Sequence, residues 1–184
     1  MDADRESSNA QCRHDLLPVL VEAVEAPGAG TLLRWNSDNL ELLHVVAACE
    51  EMSREIREDH GAIGTELARI DARLRLVLRL LGRLSASALP PASEVAIGMS
   101  AFEWRGSLPA EPGTCAVASV WLSPQVPEAL RLPGRLRAVA ERGEGWSGLD
   151  YEGLAGPVAD ALAKHIFLHH RRSIALARPA TPAR

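Results

Sequence analysis

The sequence has few aromatic residues, few cysteines and little net charge, and each shortage excludes a class of protein. Aromatic residues make up 4% of the chain. No basic stripe accompanies Trp104, Trp121 or Trp146, so we expect no base-stacking surface and no nucleic acid polymer as a partner. The net charge of -4 gives no bias toward polyanions. The three cysteines have no metal-type spacing and favour a reducing compartment, so the sequence predicts a cytoplasmic protein.

Several longer signals are also missing. No apolar run reaches the length of a membrane span, and no charged-then-apolar segment opens the chain, so we expect no membrane insertion. No Walker loop, dinucleotide-binding glycine pattern or complete Gly-x-Ser-x-Gly motif occurs. His165 and His169 share a face of a predicted helix, but they lack further ligands, and we interpret them as its polar edge. The sequence therefore predicts a protein that is not an enzyme and holds no metal.

The fold class predicted is α+β, with five segments along the chain. Residues 1–11 are small and polar, which is typical of a disordered terminus. Residues 12–60 are predicted to form an N-terminal helical region. Within it, residues 16–26 are a short helix or strand, and residues 36–38 offer N-caps for the helix that follows. Residues 61–90 carry a long heptad helix, which ends where two prolines forbid continuation. Residues 179–184 are predicted to be a frayed tail.

Residues 91–178 change character to short strands separated by proline-rich and glycine-rich turns. Predicted strands cover 94–104, 114–122, 134–141 and 146–151, and this spacing suggests a small antiparallel sheet or barrel. In the first of them, Val95, Ile97 and Met99 are expected on one side. A last helix opens at Gly156-Pro157. Its apolar face consists of Val158, Ala161, Leu162 and Ile166.

The heptad helix shows the strongest periodic pattern in the chain. Its apolar residues recur at alternating steps of four and three, the 3.5-residue period that keeps one stripe against a supercoiling partner. Leucine falls at the a positions and mainly β-branched residues at d, a combination that favours tetramers over parallel dimers. We therefore predict a homotetramer, with a helix interface formed by Ile63, Leu67, Ile70, Leu74, Val77, Leu81 and Leu84, and with Ala88 as the last a position.

A core helix inside a single globular domain would give a similar pattern. The length of the repeat, three to four heptads, favours self-association instead. Leu76, Leu78 and Leu80 make the C-terminal half of the helix apolar over much of its circumference. We expect the attached β domain to cover that half, because such a helix needs more than a narrow seam.

A heptad helix, a short-stranded β unit and a terminal helix, in this order, resemble the atypical, tetrameric branch of the PilZ domain family. The resemblance covers residues 39–178 and rests on element order and on the local patterns at 74–84 and 95–104. It implies a six-stranded β-barrel and a relation to cyclic di-GMP, the bacterial second messenger that PilZ domains bind. The family's binding motifs are Arg-x-x-x-Arg before the first strand and [Asp/Asn]-x-Ser-x-x-Gly on an early strand.

Both motifs are degenerate in this sequence. At the second motif Ser100 matches, but Gly98 replaces Asp or Asn, and Glu103 replaces Gly, where a carboxylate would repel a phosphate. The pairs Arg69/Arg73, Arg75/Arg79 and Arg79/Arg83 have the Arg-x-x-x-Arg spacing, but they lie on the heptad helix, where that spacing is one helical face. The linker 85–93 contains no arginine. The resemblance therefore implies a possible, degenerate nucleotide site at Gly98, Ser100 and Glu103.

These patterns together favour a regulatory or adaptor protein of cyclic di-GMP signalling. It would present several β domains on one oligomeric stalk to a protein partner in a bacterial pathway. It would need no cofactor. One alternative is a divergent receptor that still binds cyclic di-GMP, and a second is a structural coiled-coil scaffold.

Overall fold

The computed structural model describes residues 12–58, 64–67, 69–70, 72–74, 76–77, 80, 89–124 and 126–177. Within these residues, strands come both before and after the first of two long helices, and the second helix comes last. They are β1 (Arg13–Ala23), α1 (Ala29–Glu58), β2 (Ala92–Ile97), β3 (Ala101–Arg105), β4 (Cys115–Val120), β5 (Leu130–Ala138), β6 (Trp146–Tyr151) and α2 (Gly156–Ala177). The predicted α+β class is confirmed.

The strands form one closed antiparallel barrel in the order β1-β2-β3-β6-β5-β4. The long β1 strand closes it, because its first half pairs with β2 and its second half with β4. Of the two forms expected for residues 16–26, the structure has the strand, so β1 belongs to the barrel and not to the helical region predicted for residues 12–60. The barrel draws on residues well before 91, where we expected it to begin.

Pro18 marks the point where β1 changes its partner. It is the last β1 residue in register with β2, opposite Ala92, and Val19 is the first in register with β4. Proline has no N–H to donate to a ladder, so it is tolerated where one pairing ends. The Pro18 carbonyl oxygen still accepts a hydrogen bond from the Trp121 N–H at 3.2 Å.

The barrel interior is filled by alternate residues of the strands. Phe102 and Trp104 stack there with ring centroids 5.8 Å apart. Helices α1 and α2 complete the core, because Leu42, Leu43 and Val46 of α1 are buried against it. The fully buried α2 residues are Val158, Leu162 and Ile166, with Ala161 partly buried. The apolar face predicted for the last helix is confirmed.

The strand predicted over residues 94–104 is two strands joined by a tight turn. The Gly98 N–H donates to the Ala101 carbonyl oxygen at 2.9 Å, which reverses the chain between β2 and β3. Met99 is at the tip of this turn and is exposed, not inward-facing as predicted. Glycine and serine flank it, and both are common turn residues. The alternation that continued through Met99 concealed the turn.

Helix α1 begins earlier than predicted, at Ala29 after Pro27-Gly28. The proposed caps at 36–38 are therefore inside the helix. Asn36 instead binds the loop before α2, donating to the Gly153 carbonyl oxygen at 2.9 Å and accepting from the Ala155 N–H at 2.8 Å. The amide of buried Asn39 pairs with both backbone groups of Arg131, at 2.6 and 2.8 Å, and so attaches α1 to β5.

Replacing Asn39 with alanine should lower the free energy of unfolding by about 2–3 kcal/mol, because two buried backbone groups lose their partner. Urea denaturation followed by circular dichroism measures this loss. The matched control is Asp38→Ala, which removes only the exposed ion pair with Arg131 at 3.3 Å. We expect the control to cost less than about 1 kcal/mol. Equal losses in the two variants would contradict the anchoring role of Asn39.

The described part of the predicted heptad segment, at residues 64–67, 69–70, 72–74, 76–77 and 80, is helical. Its seam residues Leu67, Ile70, Leu74 and Val77 are each between 45% and 52% exposed. The alternative of a core helix within one chain is therefore wrong for these positions. Ile63, Leu81, Leu84, Ala88 and Leu78 lie outside the described residues.

The β domain of the same chain does not cover Leu76 and Leu80, which are 53% and 50% exposed. Our expectation of cover from that domain is wrong for these two residues. Their apolar surface is left for another molecule to contact. No helix in the described part of the chain is both long and apolar enough to cross a membrane.

Candidate functional site

The three residues predicted from the degenerate motif lie together on the outer face of the barrel. Gly98 and Ser100 are in the β2–β3 turn, and Glu103 is on β3. They line a cleft of about 340 Å³, which we call the outer cleft. Its full lining is Cys12, Ala96, Gly98, Ser100, Ala101, Glu103, Arg137, Ala138, Glu141 and Asp150.

Tyr151 holds the turn that carries Gly98 and Ser100. Its hydroxyl donates to the Gly98 carbonyl oxygen at 3.2 Å, and its N–H donates to the Ser100 carbonyl oxygen at 2.9 Å. Burial raises the pKa of Tyr151 further above its ordinary value, which already leaves the hydroxyl protonated, and hence a donor, at neutral pH. A side chain at position 98 would lie 3.1 Å from the Ala101 carbonyl oxygen, so the turn favours glycine there.

The register of three neighbouring strands aligns Glu103, Gly148 and Arg137 in one row. Glu103 of β3 is opposite Gly148 of β6, and Arg137 of β5 is opposite the same glycine. A Cβ atom at Gly148 would lie 2.8 Å from Val139 Cγ2 and 3.0 Å from Arg137 Cγ. Because glycine leaves this space open, the Arg137 side chain can extend across β6 toward β3.

The Glu103 carboxylate is bound by two guanidinium groups. Arg137 Nη2 donates to Oε1 at 2.5 Å, and Arg142 Nε is paired with Oε2. Asp150 Oδ1 accepts from Arg137 Nε at 2.9 Å. Arg142 comes from the β5–β6 loop and lies over the Trp146 ring, 5.2 Å from its centroid. Only 14% of the Glu103 side chain is exposed, so water screens these pairs weakly.

The same charges act on two neighbouring groups. Burial raises the pKa of the Cys12 thiol, and Glu103 adds to the rise while Arg142 opposes it. Burial and the positive charge of Arg142 lower the pKa of His14, although Glu103 opposes this shift. A protonated thiol therefore lines the cleft at neutral pH, and the imidazole that interacts with Arg142 and Glu103 is neutral. Neither group brings a charge of its own to the cleft.

The predicted pair His165 and His169 lies elsewhere, where α2 meets β1. His165 is buried rather than at a polar edge, and its Nε2 is 2.5 Å from Arg13 Nη1. His169 Nε2 is 3.7 Å from Asp15 Oδ2. Burial raises the pKa of Asp15, but the hydrogen bonds from Arg13 and the Leu16 N–H outweigh it and hold the pKa below its ordinary value.

No cluster of three or more histidine, cysteine or acidic side chains suited to a metal occurs among the described residues. The Arg13 guanidinium contacts the Nε2 atom of His165, so this ring nitrogen already has a partner. The pair and its partners fasten α2 to β1.

Gly98, Ser100 and Glu103, which the sequence motif indicates, lie in one cleft, but the motif does not indicate Arg137 or Arg142. Outward-facing arginines at Arg135 and Arg137 alternate with inward Leu136, and that pattern was the available signal. It showed the face of β5 on which each arginine lies. It did not show that β6 separates β5 from β3, which requires the strand order.

A family model for the atypical PilZ domain, described as a cyclic di-GMP receptor, matches residues 42–179. The chain belongs to the atypical PilZ domain family. The resemblance stated from the sequence is thereby confirmed, and with it a role in cyclic di-GMP signalling. The family match does not include β1, although β1 closes this PilZ barrel.

A solved structure supports the same fold. A pathogenic protein from Xanthomonas campestris, described as a new tetrameric PilZ domain self-assembled via an unusual helical bundle, is 26% identical to this chain. The similarity covers 90% of this chain and 91% of the other, with a TM-score of 0.69. No curated protein has a matching sequence.

Proposed function

We propose that this PilZ protein is a non-enzymatic adaptor of cyclic di-GMP signalling that has lost nucleotide binding by the standard mode. The observation that carries this proposal is the pairing of Glu103 with Arg137 and Arg142. PilZ motifs use arginines to hold the phosphates of the nucleotide, and both arginines beside this cleft already hold a carboxylate. Gly98 and Glu103, which depart from the family motif, line the same cleft.

We also propose that the adaptor is a homotetramer joined by its heptad helix. Support comes from the exposed apolar stripe of Leu67, Ile70, Leu74 and Val77 and from the tetrameric, helical-bundle description of the similar Xanthomonas protein. A tetramer would present several barrels at once, which raises the avidity for a protein partner without any new type of contact. A cytoplasmic location is consistent with Cys12, Cys49 and Cys115, none of which forms a disulfide among the described residues.

The alternative is a divergent receptor that still binds cyclic di-GMP. The outer cleft favours it, because a volume of about 340 Å³ lies at the small end of the range for ligand pockets. Ser100, the one residue that matches the motif, lines it. Under this reading, the nucleotide would have to displace Glu103 from its two arginines.

Isothermal titration of cyclic di-GMP into the wild-type protein separates the two proposals. If the protein is an adaptor that does not bind the nucleotide, we expect no saturable heat at nucleotide concentrations up to about 100 μM. This range would reveal any dissociation constant in the micromolar range. Saturable binding at one site per chain would contradict it. In that case the variant Arg137→Ala tests where the nucleotide binds. Loss of binding in this variant would place the nucleotide in the outer cleft.

A further inference from the structure

The two oxygens of the Glu103 carboxylate each contact a different arginine. Oε1 accepts from Arg137 Nη2 at 2.5 Å, and Oε2 is paired with Arg142 Nε. Two guanidinium groups converging on one small anion is the arrangement by which proteins bind carboxylate and phosphate. The chain thus brings two guanidinium groups to one anion, which is its own side chain.

Contacts other than Glu103 hold both guanidinium groups in position. Asp150 accepts from Arg137 Nε at 2.9 Å, and the stem of Arg137 lies in the space left by Gly148. The guanidinium of Arg142 lies 5.2 Å from the centroid of the Trp146 ring. Removing the Glu103 carboxylate therefore leaves two positioned cations. An arginine that is held in place loses less entropy on binding an anion than a mobile one.

The outer cleft leaves room for a ligand in front of Arg137 and Glu103. The cleft of about 340 Å³ has small residues at Ala96, Ala101 and Gly98 along its lining. Two further carboxylates, Glu141 and Asp150, also line it. They reduce the attraction for an anion, so the affinity for phosphate alone should be modest.

We propose that Arg137 and Arg142 form a binding site for a phosphate group and that Glu103 is the internal anion that closes it. The proposal rests on the proposed function, in which this PilZ domain does not bind nucleotide, and it names the group responsible. A phosphate or phosphodiester enters only when Glu103 is neutralised or displaced. The pair is not the family's Arg-x-x-x-Arg motif, because Arg137 and Arg142 are five positions apart and lie on β5 and the β5–β6 loop.

The test compares the thermal stability of Glu103→Ala in sodium phosphate and in sodium chloride of equal ionic strength. Removing the carboxylate takes away the anion that pairs with Arg137 and Arg142, and phosphate can take its place. We expect the Tm of the variant to rise by about 3–5 °C at a phosphate concentration about ten times its dissociation constant. The wild-type Tm should change by less than about 1 °C, since Glu103 already occupies the site.

Three further variants make the result specific. Glu152→Ala changes the net charge equally and also breaks an ion pair, because Glu152 contacts exposed Arg135 at 2.7 Å. It should behave like the wild type. The double variant Glu103→Ala/Arg142→Ala should lose the phosphate effect. If Glu103→Ala does not fold, Glu103→Gln keeps the shape without the charge and should show a smaller rise in Tm.

Titrating cyclic di-GMP into the folded variant distinguishes the two sources of phosphate. Saturable binding with at least tenfold higher affinity than the wild type assigns the site to a cyclic dinucleotide. Stabilisation by inorganic phosphate alone assigns it to a smaller phosphate ligand. The inference is overturned if both Glu103 variants fold and neither gains phosphate stabilisation over the wild type. Nucleotide binding by the wild type would instead overturn the proposed function, whatever the variants do.

Discussion

Leu74→Glu should dissociate the proposed tetramer and reduce the native mass about fourfold, because position a of the heptad faces the partner helices. In a symmetric assembly one substitution acts in every subunit, so four carboxylates would meet in one layer. Each buried, unpaired charge costs several kcal/mol. Leu74 is 52% exposed in the single chain, so its own fold does not depend on burying it. Light scattering coupled to gel filtration measures the mass.

The matched control for this prediction is Ala72→Glu. Residue 72 is helical and exposed, within one turn of Leu74, and it occupies position f, on the side away from the seam. The same carboxylate there should leave the native mass unchanged. If Leu74→Glu also kept the wild-type mass with the barrel folded, the heptad stripe could not be the subunit interface.

Local sequence patterns predicted the elements whose structure depends on near neighbours. The last helix was predicted correctly because Val158, Leu162 and Ile166 repeat at helical spacing and face one core. Proline and glycine between short apolar runs indicated strands and turns, and hence a barrel. Both features can be recognised in the local sequence without knowing which strands pair.

Local patterns left residues 16–26 open between helix and strand, because what defines β1 as a strand lies far away in the chain. Its partners, β2 and β4, begin about 70 or more residues after it ends, so no local turn signal announces the pairing. Leu16 and Leu20 are 63% and 42% exposed on its outer side. Apolar residues on both sides concealed the period of two that identifies a half-buried strand.

Only the part of the candidate site that lies close together in the sequence could be predicted, because the rest depends on distant strands. Gly98, Ser100 and Glu103 belong to one short motif and were found together. Arg137 approaches Glu103 only because β6 lies between their strands and has Gly148 at the crossing point. Strand order and register are features of the tertiary structure. The ion pair between Glu103 and Arg137 in the outer cleft therefore could not be derived from spacing along the chain.

Gly134→Ala should be strongly destabilising, by about 3 kcal/mol or more, because it forces a methyl group into a packed strand pair. The strand predicted to begin at residue 134 begins earlier, at Leu130, so Pro133 and Gly134 are both within β5. A Cβ atom at Gly134 would overlap the backbone carbonyl oxygen of Asp150 and lie 2.9 Å from Leu149 Cδ2. A backbone atom cannot rotate away as a flexible side chain can, so β5 and β6 would have to separate.

Urea denaturation at fixed protein concentration measures the effect, and Gly30→Ala is the control. Gly30 is near the start of α1, and a Cβ atom added there would have no other atom within 4 Å. Alanine at this position should therefore be neutral or stabilising by up to about 1 kcal/mol. A Gly134→Ala variant as stable as this control would show that β5 and β6 can separate at little cost. Because Asp150 also holds Arg137 at 2.9 Å, any such shift of β6 should loosen the arginines around Glu103. Glycine at 134 therefore supports the outer cleft as well as the barrel.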